Sequence, residues 1–141
     1  MNIKTIFHKT FSSFLSQPLW IKLLILFFSI CLAVATRNHI MDIVHGGFLP
    51  YEKHPMALRL YWTSLTLFDP LAIVLFYLSL PKGLYLVVAI MVSDVVINFY
   101  ATYTFWNSSF SQNTSFQMQL FFGIVVVITV PFILKYMKRE S

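Results

Sequence analysis

The stretch FQMQLFFGIVVVITVPFIL, from Phe116 to Leu134, carries no formal charge, although Gln117 and Gln119 near its start are polar. A helix rising 1.5 Å per residue needs about 20 apolar residues to cross ~30 Å of hydrocarbon, and this run supplies them. It predicts a membrane span over residues 117–137. Three earlier stretches have similar length and character, at 18–36, 61–80 and 83–103. The second and third each contain one aspartate. The fold class read from this pattern is all-α: a polytopic membrane protein with a four-transmembrane-helix bundle.

Composition agrees with that reading. Of 141 residues, 58% are hydrophobic and 11% charged, against about 25% charged in ordinary soluble domains. The mean hydropathy is +0.75. The formal charge of +5 comes from basic residues scattered between apolar runs, with no continuous stripe to follow a phosphate backbone, so nucleic acid is excluded as a partner. Cys31 is the only cysteine and lies inside an apolar run, which excludes an internal disulfide and a cysteine metal cluster.

The domain organisation is a 1–17 N-terminal segment, a single membrane domain over 18–137 and a 138–141 tail. Lys4, Lys9, Lys22, Lys82, Lys135, Lys138 and Arg139 fall on one side of the expected topology, against Arg37, Lys53 and Arg59 on the other. Basic residues are retained on the cytoplasmic side, which predicts cytoplasmic termini. Lys22 lies near the cytoplasmic end of its span and can extend its stem to the headgroups. In the N-terminal segment, Ile3, Ile6, Phe7, Phe11 and Phe14 share one helix face, the pattern of an interfacial amphipathic helix. An unstructured basic leader is the alternative. The apolar run 23–32 followed by Ala33-Val34-Ala35 also has the form of a signal peptide and its cleavage site, although the basic region before it is long for one. Four uncleaved spans are the expectation.

Asp69 and Asp94 are the candidate site. An ionisable group at bilayer depth costs roughly 2.5–3.5 kcal/mol on insertion scales, so something must offset it. The short connection Pro81-Lys82-Gly83 predicts a tight hairpin. Counting outward from it puts both aspartates ~18 Å above the turn if the helices are straight. Two carboxylates meeting there cannot both ionise cheaply, so one holds a proton unless a cation lies between them. That arrangement suits a bound cation, a ligand amine or a proton relay. Pro70 has no N–H for the carbonyl of Thr66, which predicts a second span kinked or broken beside Asp69; a kink without function is the alternative. Asp94, Asn98 and Thr102 recur every four residues as a polar stripe, with Ser93 beside it. For Asn98 and Thr102 interhelical bonding is the expected role. The ligand or proton site is thus expected from Asp69, Asp94, Asn98 and Thr66.

The external segment 37–60 contains His39, Asp42, His45, Glu52 and His54. His39, Asp42 and His45 recur every three residues and spread around a helix rather than converging, so no metal site is expected. A short interfacial helix over 38–44, stopped by Gly46-Gly47, with solvated histidines, is expected instead. The second external segment, 105–116, has no charge and carries two glycosylation sequons, beginning at Asn107 and Asn113, which matter only in a eukaryotic secretory membrane. Trp20, Trp62 and Trp106 fall near span ends, where indole rings favour the headgroup region. No phosphate loop, nucleophile elbow or His-Glu-x-x-His element is present, and no cofactor is expected.

The segments Trp62-Thr63-Ser64-Leu65, Phe68-Asp69-Pro70-Leu71-Ala72 and Met91-Val92-Ser93-Asp94-Val95-Val96-Ile97-Asn98 resemble small uncharacterised bacterial membrane proteins of four helices. That resemblance implies the inner membrane and no particular activity. A looser resemblance, through Ile40-Met41-Asp42 and Asp69, is to the EXPERA group of emopamil-binding and sigma-receptor-like proteins, whose buried acids receive a ligand amine. The first external segment is short for that group, and Asp94 has no counterpart in it. Three functional classes follow. The first is a pocket for a small cationic or amphipathic ligand, or a proton relay. The second is a subunit or assembly partner of a larger membrane complex, and the third is an EXPERA-like membrane isomerase.

Overall fold

The computed structural model describes residues 14–106 and 109–140, the side chain at 140 excepted. The amphipathic segment expected over 3–14 lies outside these residues except for Phe14, whose ring meets Tyr77 edge-on at 4.9 Å. The chain is an all-α bundle of four long helices, α1 (Leu19–Gly46), α2 (Met56–Leu78), α3 (Leu80–Thr104) and α4 (Thr114–Glu140). Each is long and apolar enough to cross a membrane. Consecutive helices pack along their lengths, whereas α1 and α4 touch only slightly. The order is therefore up, down, up, down, with one open seam.

Each helix sends a line of side chains at three- and four-residue spacing into the core. These are Ile21, Ile25, Phe28 and Leu32 on α1; Trp62, Leu65, Ala72 and Phe76 on α2; Leu84, Val87 and Met91 on α3; and Phe122, Val126, Val130 and Ile133 on α4. That spacing is one helix face. The opposite faces are apolar too: Leu23, Ile30, Leu67, Val96 and Phe132 are all more than half exposed. Water would not tolerate so continuous a greasy exterior; hydrocarbon does, and the helices satisfy their own backbone groups.

Three boundaries differ from the sequence expectation. α1 does not end near Thr36 but runs unbroken to Gly46, so the separate 38–44 helix is its last turns. No proline or glycine lies between Thr36 and Gly46, and the helix persists until Gly47, at φ 79°, turns the chain. The first connection is therefore 47–55, not 37–60. Second, the α2–α3 hairpin turns at Ser79, not over 81–83. Ser79 donates its N–H to the Leu75 carbonyl at 2.7 Å, and its own carbonyl accepts from Gly83 at 3.1 Å. Pro81 then sits in the first turn of α3, where its missing N–H costs nothing. Third, α2 is not broken at Pro70: the helix continues through it to Leu78. Lipid penalises free backbone groups, so the helix gives up one bond rather than several.

The connections are tied down by side chains. Arg59 donates to the carbonyls of Pro50, at 3.1 Å, and Leu49, fastening the 47–55 segment to α2. Asn113 caps α4 by accepting the Phe116 N–H at 3.0 Å, and its amide nitrogen donates to Thr102 at 3.2 Å.

At Gly83, α3 packs closely on the end of α2. A Cβ there would lie 2.7 Å from the backbone nitrogen and from a ring carbon of Phe76. Gly83→Ala is expected to destabilise the bundle by about 1–3 kcal/mol, the usual cost of overpacking a tight contact. Thermal unfolding of the detergent-purified protein reads this as a lower Tm; an unchanged Tm would mean the hairpin has room to open.

Candidate functional site

Asp69 and Asp94 are both buried, 2% and 6% exposed, and both line one cavity of about 820 Å³. The hairpin geometry expected to match their depths is not the one present. With the turn at Ser79, Asp69 lies ~15 Å and Asp94 ~22 Å along their helices by rise alone. The cavity spans that difference, and among the described residues no hydrogen bond joins the two carboxylates. Each has its own partners.

Asp94 is held by amides. Asn98, one turn on, donates its side-chain nitrogen to Asp94 Oδ1 at 2.7 Å and to the Asp94 carbonyl at 3.0 Å. Gln119 of α4 donates to the other carboxylate oxygen. The Asn98 side-chain oxygen in turn accepts from Trp62 Nε1 at 3.2 Å, so α2, α3 and α4 are joined through this one acid. Thr102, next along the stripe, is fully buried and accepts from Asn113. Ser93 and Tyr61 share a bond at 2.8 Å. Asn98 and Thr102 therefore bond helix to helix, and Asn98 also forms part of the cavity wall.

Asp69 is held differently. Its titratable neighbour within 4 Å, among the described residues, is His39, whose Nε2 lies 4.0 Å from Asp69 Oδ2. His39 Nδ1 lies 3.9 Å from Asp42 Oδ2, and both line the same cavity. Sequence reasoning placed His39 at the membrane surface because Arg37-Asn38 seemed to close the first span. The absence of any helix breaker before Gly46 was the signal that would have kept it on α1. Gln119 was visible as a polar residue in an apolar run, but nothing in the sequence aimed it at Asp94.

Thr66 does not join the cavity wall. Its hydroxyl oxygen is enclosed and makes no hydrogen bond among the described residues. Pro70, within continuous α2, leaves Asp69 as an ordinary helical residue rather than a cap. Trp62 lies in the second turn of α2, is 4% exposed and stacks on Trp106 with ring centroids 5.7 Å apart and planes 14° apart. Tyr51 reaches the same cluster, 5.0 Å from Trp62, from a left-handed backbone position at φ 65°. Burial and the neighbouring Asp42 carboxylate push the Tyr51 phenol up, so it remains protonated. His54 packs edge-on against Tyr51, Trp62, Phe105 and Trp106. Among the described residues no three His, Cys, Asp or Glu side chains converge as metal ligands.

The cavity follows the open seam. Leu32, Val34 and Ala35 of α1 face Met118 and Phe122 of α4 across it. Nearer the termini the seam is closed by rings, with Phe122 edge-on to Phe27 and Phe28 at 6.0 and 5.8 Å and Trp20 edge-on to Tyr136 at 5.7 Å. The opening is thus confined to the half of the bundle away from the termini.

Comparison with protein families, with curated proteins and with solved structures finds no match to this chain.

The two aspartates should respond differently to neutralisation. Asp94→Asn turns an amide N–H₂ towards Asn98 or Gln119, setting donor against donor, and is expected to cost about 1–3 kcal/mol. Asp69→Asn removes a buried charge with no hydrogen-bonded partner and is expected to leave the Tm unchanged or raised. Thermal unfolding of both variants in detergent checks this. An equal collapse of the two would make both acids structural.

Proposed function

We propose that this chain is a membrane protein that binds a small organic cation, amphipathic rather than freely water-soluble, at the carboxylates of its cavity. The observation carrying the proposal is charge. Asp42, Asp69 and Asp94 line the cavity, and among the described residues its wall contains no lysine or arginine and one basic side chain, His39. Such a wall is short of positive charge, and in a low-dielectric surround that shortage is costly until a cation or proton offsets it. The aromatic groups suit the same ligand. Tyr51, Trp62 and Trp106 line the cavity, and indole and phenol faces attract alkylammonium groups. The volume lies within the ~300–1,000 Å³ of drug-sized ligand pockets.

The seam between α1 and α4 argues for the amphipathic character. An apolar tail can rest between Val34 and Met118, both more than half exposed, while the charged head reaches inward to the acids. The distribution of lysine and arginine favours cytoplasmic termini, which turns the cavity to the non-cytoplasmic half of the membrane. With the sequence resemblance to small bacterial proteins, this favours the bacterial inner membrane.

The probe for this reading is dodecyltrimethylammonium, titrated calorimetrically into protein reconstituted in phosphatidylcholine nanodiscs, with empty nanodiscs as the blank. Saturable binding is expected. Asp69→Asn should weaken it about tenfold or more, since close desolvated charge pairs are worth ~1.5 kcal/mol upwards. A wild-type protein that binds no probe but copurifies with another chain in mild detergent would overturn the ligand reading in favour of a complex subunit.

A further inference from the structure

His39 stands between two carboxylates, 4.0 Å from Asp69 on one ring nitrogen and 3.9 Å from Asp42 on the other. Neither distance is a hydrogen bond, so the interaction is Coulombic and exists only while the ring carries its proton. The three groups differ in exposure in a graded way. The Asp69 side chain is 2% exposed, His39 18% and Asp42 35%. Together they form a line of titratable groups from the buried acid to the outer end of α1.

The groups facing His39 can be named from every side. Asp42 lies on its own helix, Tyr51 comes from the 47–55 connection, Asp69 from α2, and Asp94 from α3 across the cavity. α4 contributes Gln119 and no titratable side chain to the wall. Cys31 of α1 adds a thiol to the same wall, so the ionisable groups around the imidazole are carboxylic acids, a phenol and a thiol, and among the described residues no fixed cation lines the cavity with it.

Resting on the proposal that the cavity holds an organic cation, we infer that His39 is its proton-bearing stand-in: the protonated ring compensates Asp69 when the cavity is empty, and an arriving cation displaces that proton. The physical reason is exclusion. An imidazolium and a ligand cation beside the same carboxylate are like charges in a low-dielectric site and do not coexist cheaply. The charge balances, because one positive charge enters with the ligand and one leaves as a proton. No covalent bond other than the ring N–H is broken. The proton leaves through Asp42, the more exposed carboxylate on the opposite ring nitrogen, to water beyond the end of α1. Binding is therefore an exchange, and the cation is held more tightly as pH rises and His39 loses its proton.

The test titrates dodecyltrimethylammonium into wild type and His39→Gln in phosphatidylcholine nanodiscs. It uses two buffers of different ionisation enthalpy, at steps between about pH 5 and 8, the range in which histidine changes charge. The wild type is expected to release close to one proton per cation at the acid end, with affinity rising with pH until the release fades. His39→Gln should still bind, with buffer-independent heats and an affinity that hardly changes with pH. Wild-type binding with no proton release, or equal release from His39→Gln, overturns the exchange while leaving the cation site standing. A wild type that binds no cation at any pH overturns the site itself and the exchange with it. His39→Lys, which fixes a permanent positive charge at this position, should bind the probe more weakly than His39→Gln at every pH. Equal affinity of the two variants would also overturn the inference.

Discussion

Three carboxylates around one cavity in an apolar bundle, with no lysine or arginine among the described residues of its wall, are the constraint on which the rest of this structure turns. Each acid at bilayer depth costs roughly 2.5–3.5 kcal/mol unless it is compensated, and the helices are arranged to compensate them only in part. Asp94 is solvated by the amides of Asn98 and Gln119, which bind α3 to α4 and, through Trp62, to α2. Asp69 has instead a histidine at ion-pair distance, a partner whose charge depends on pH. The two acids therefore divide the work. Asp94 is anchored in the bundle, whereas Asp69 is left responsive.

The bundle closes incompletely beside those acids. A four-helix bundle that sealed α1 against α4 along its length would lock the acids away from any ligand. Here the seam is shut by Phe27, Phe28, Phe122, Trp20 and Tyr136 towards the termini and stays open beside the acids. Across the outer ends of the helices, Arg59 holds the 47–55 connection by its carbonyls, and this brings Tyr51 against Trp62. The cavity consequently has an aromatic end, a carboxylate floor and an apolar side opening. Those are the three surfaces that the proposed amphipathic cation would contact.

Much of the architecture is legible in the sequence, because membrane spans are written in continuous apolar runs. Four runs give four helices, and the aspartates stand out as charges within them. What the sequence does not carry is helix length beyond the apolar run and rotation about the helix axis. Arg37-Asn38 looks like the end of a span, but no helix breaker follows until Gly46, and His39 travels with the extended helix to Asp69. The hairpin turn moved by a few residues for a local reason, since Pro81 fits the first turn of α3 better than a loop. That shift removes the matched depth by which the two acids were first paired. Pro70 predicts a second span kinked or broken; the helix runs on through it, because backbone satisfaction in lipid outweighs one missing hydrogen bond. Thr66, chosen for its closeness to Pro70 along the chain, lies off the cavity. Gln119, chosen by nothing, supports Asp94.

The chain's only cysteine, Cys31, lines this cavity and offers a direct reading of its electrical potential. The measurement is the rate at which Cys31 in reconstituted wild-type protein reacts with a cationic and with an anionic methanethiosulfonate, each normalised to its rate with a free thiol. A cavity bounded by three carboxylates and a single histidine is net negative and concentrates cations, so the cationic reagent should be favoured by about tenfold or more, and the preference should shrink in Asp69→Asn. Equal normalised rates, or a preference for the anionic reagent, would contradict a cavity built to receive positive charge.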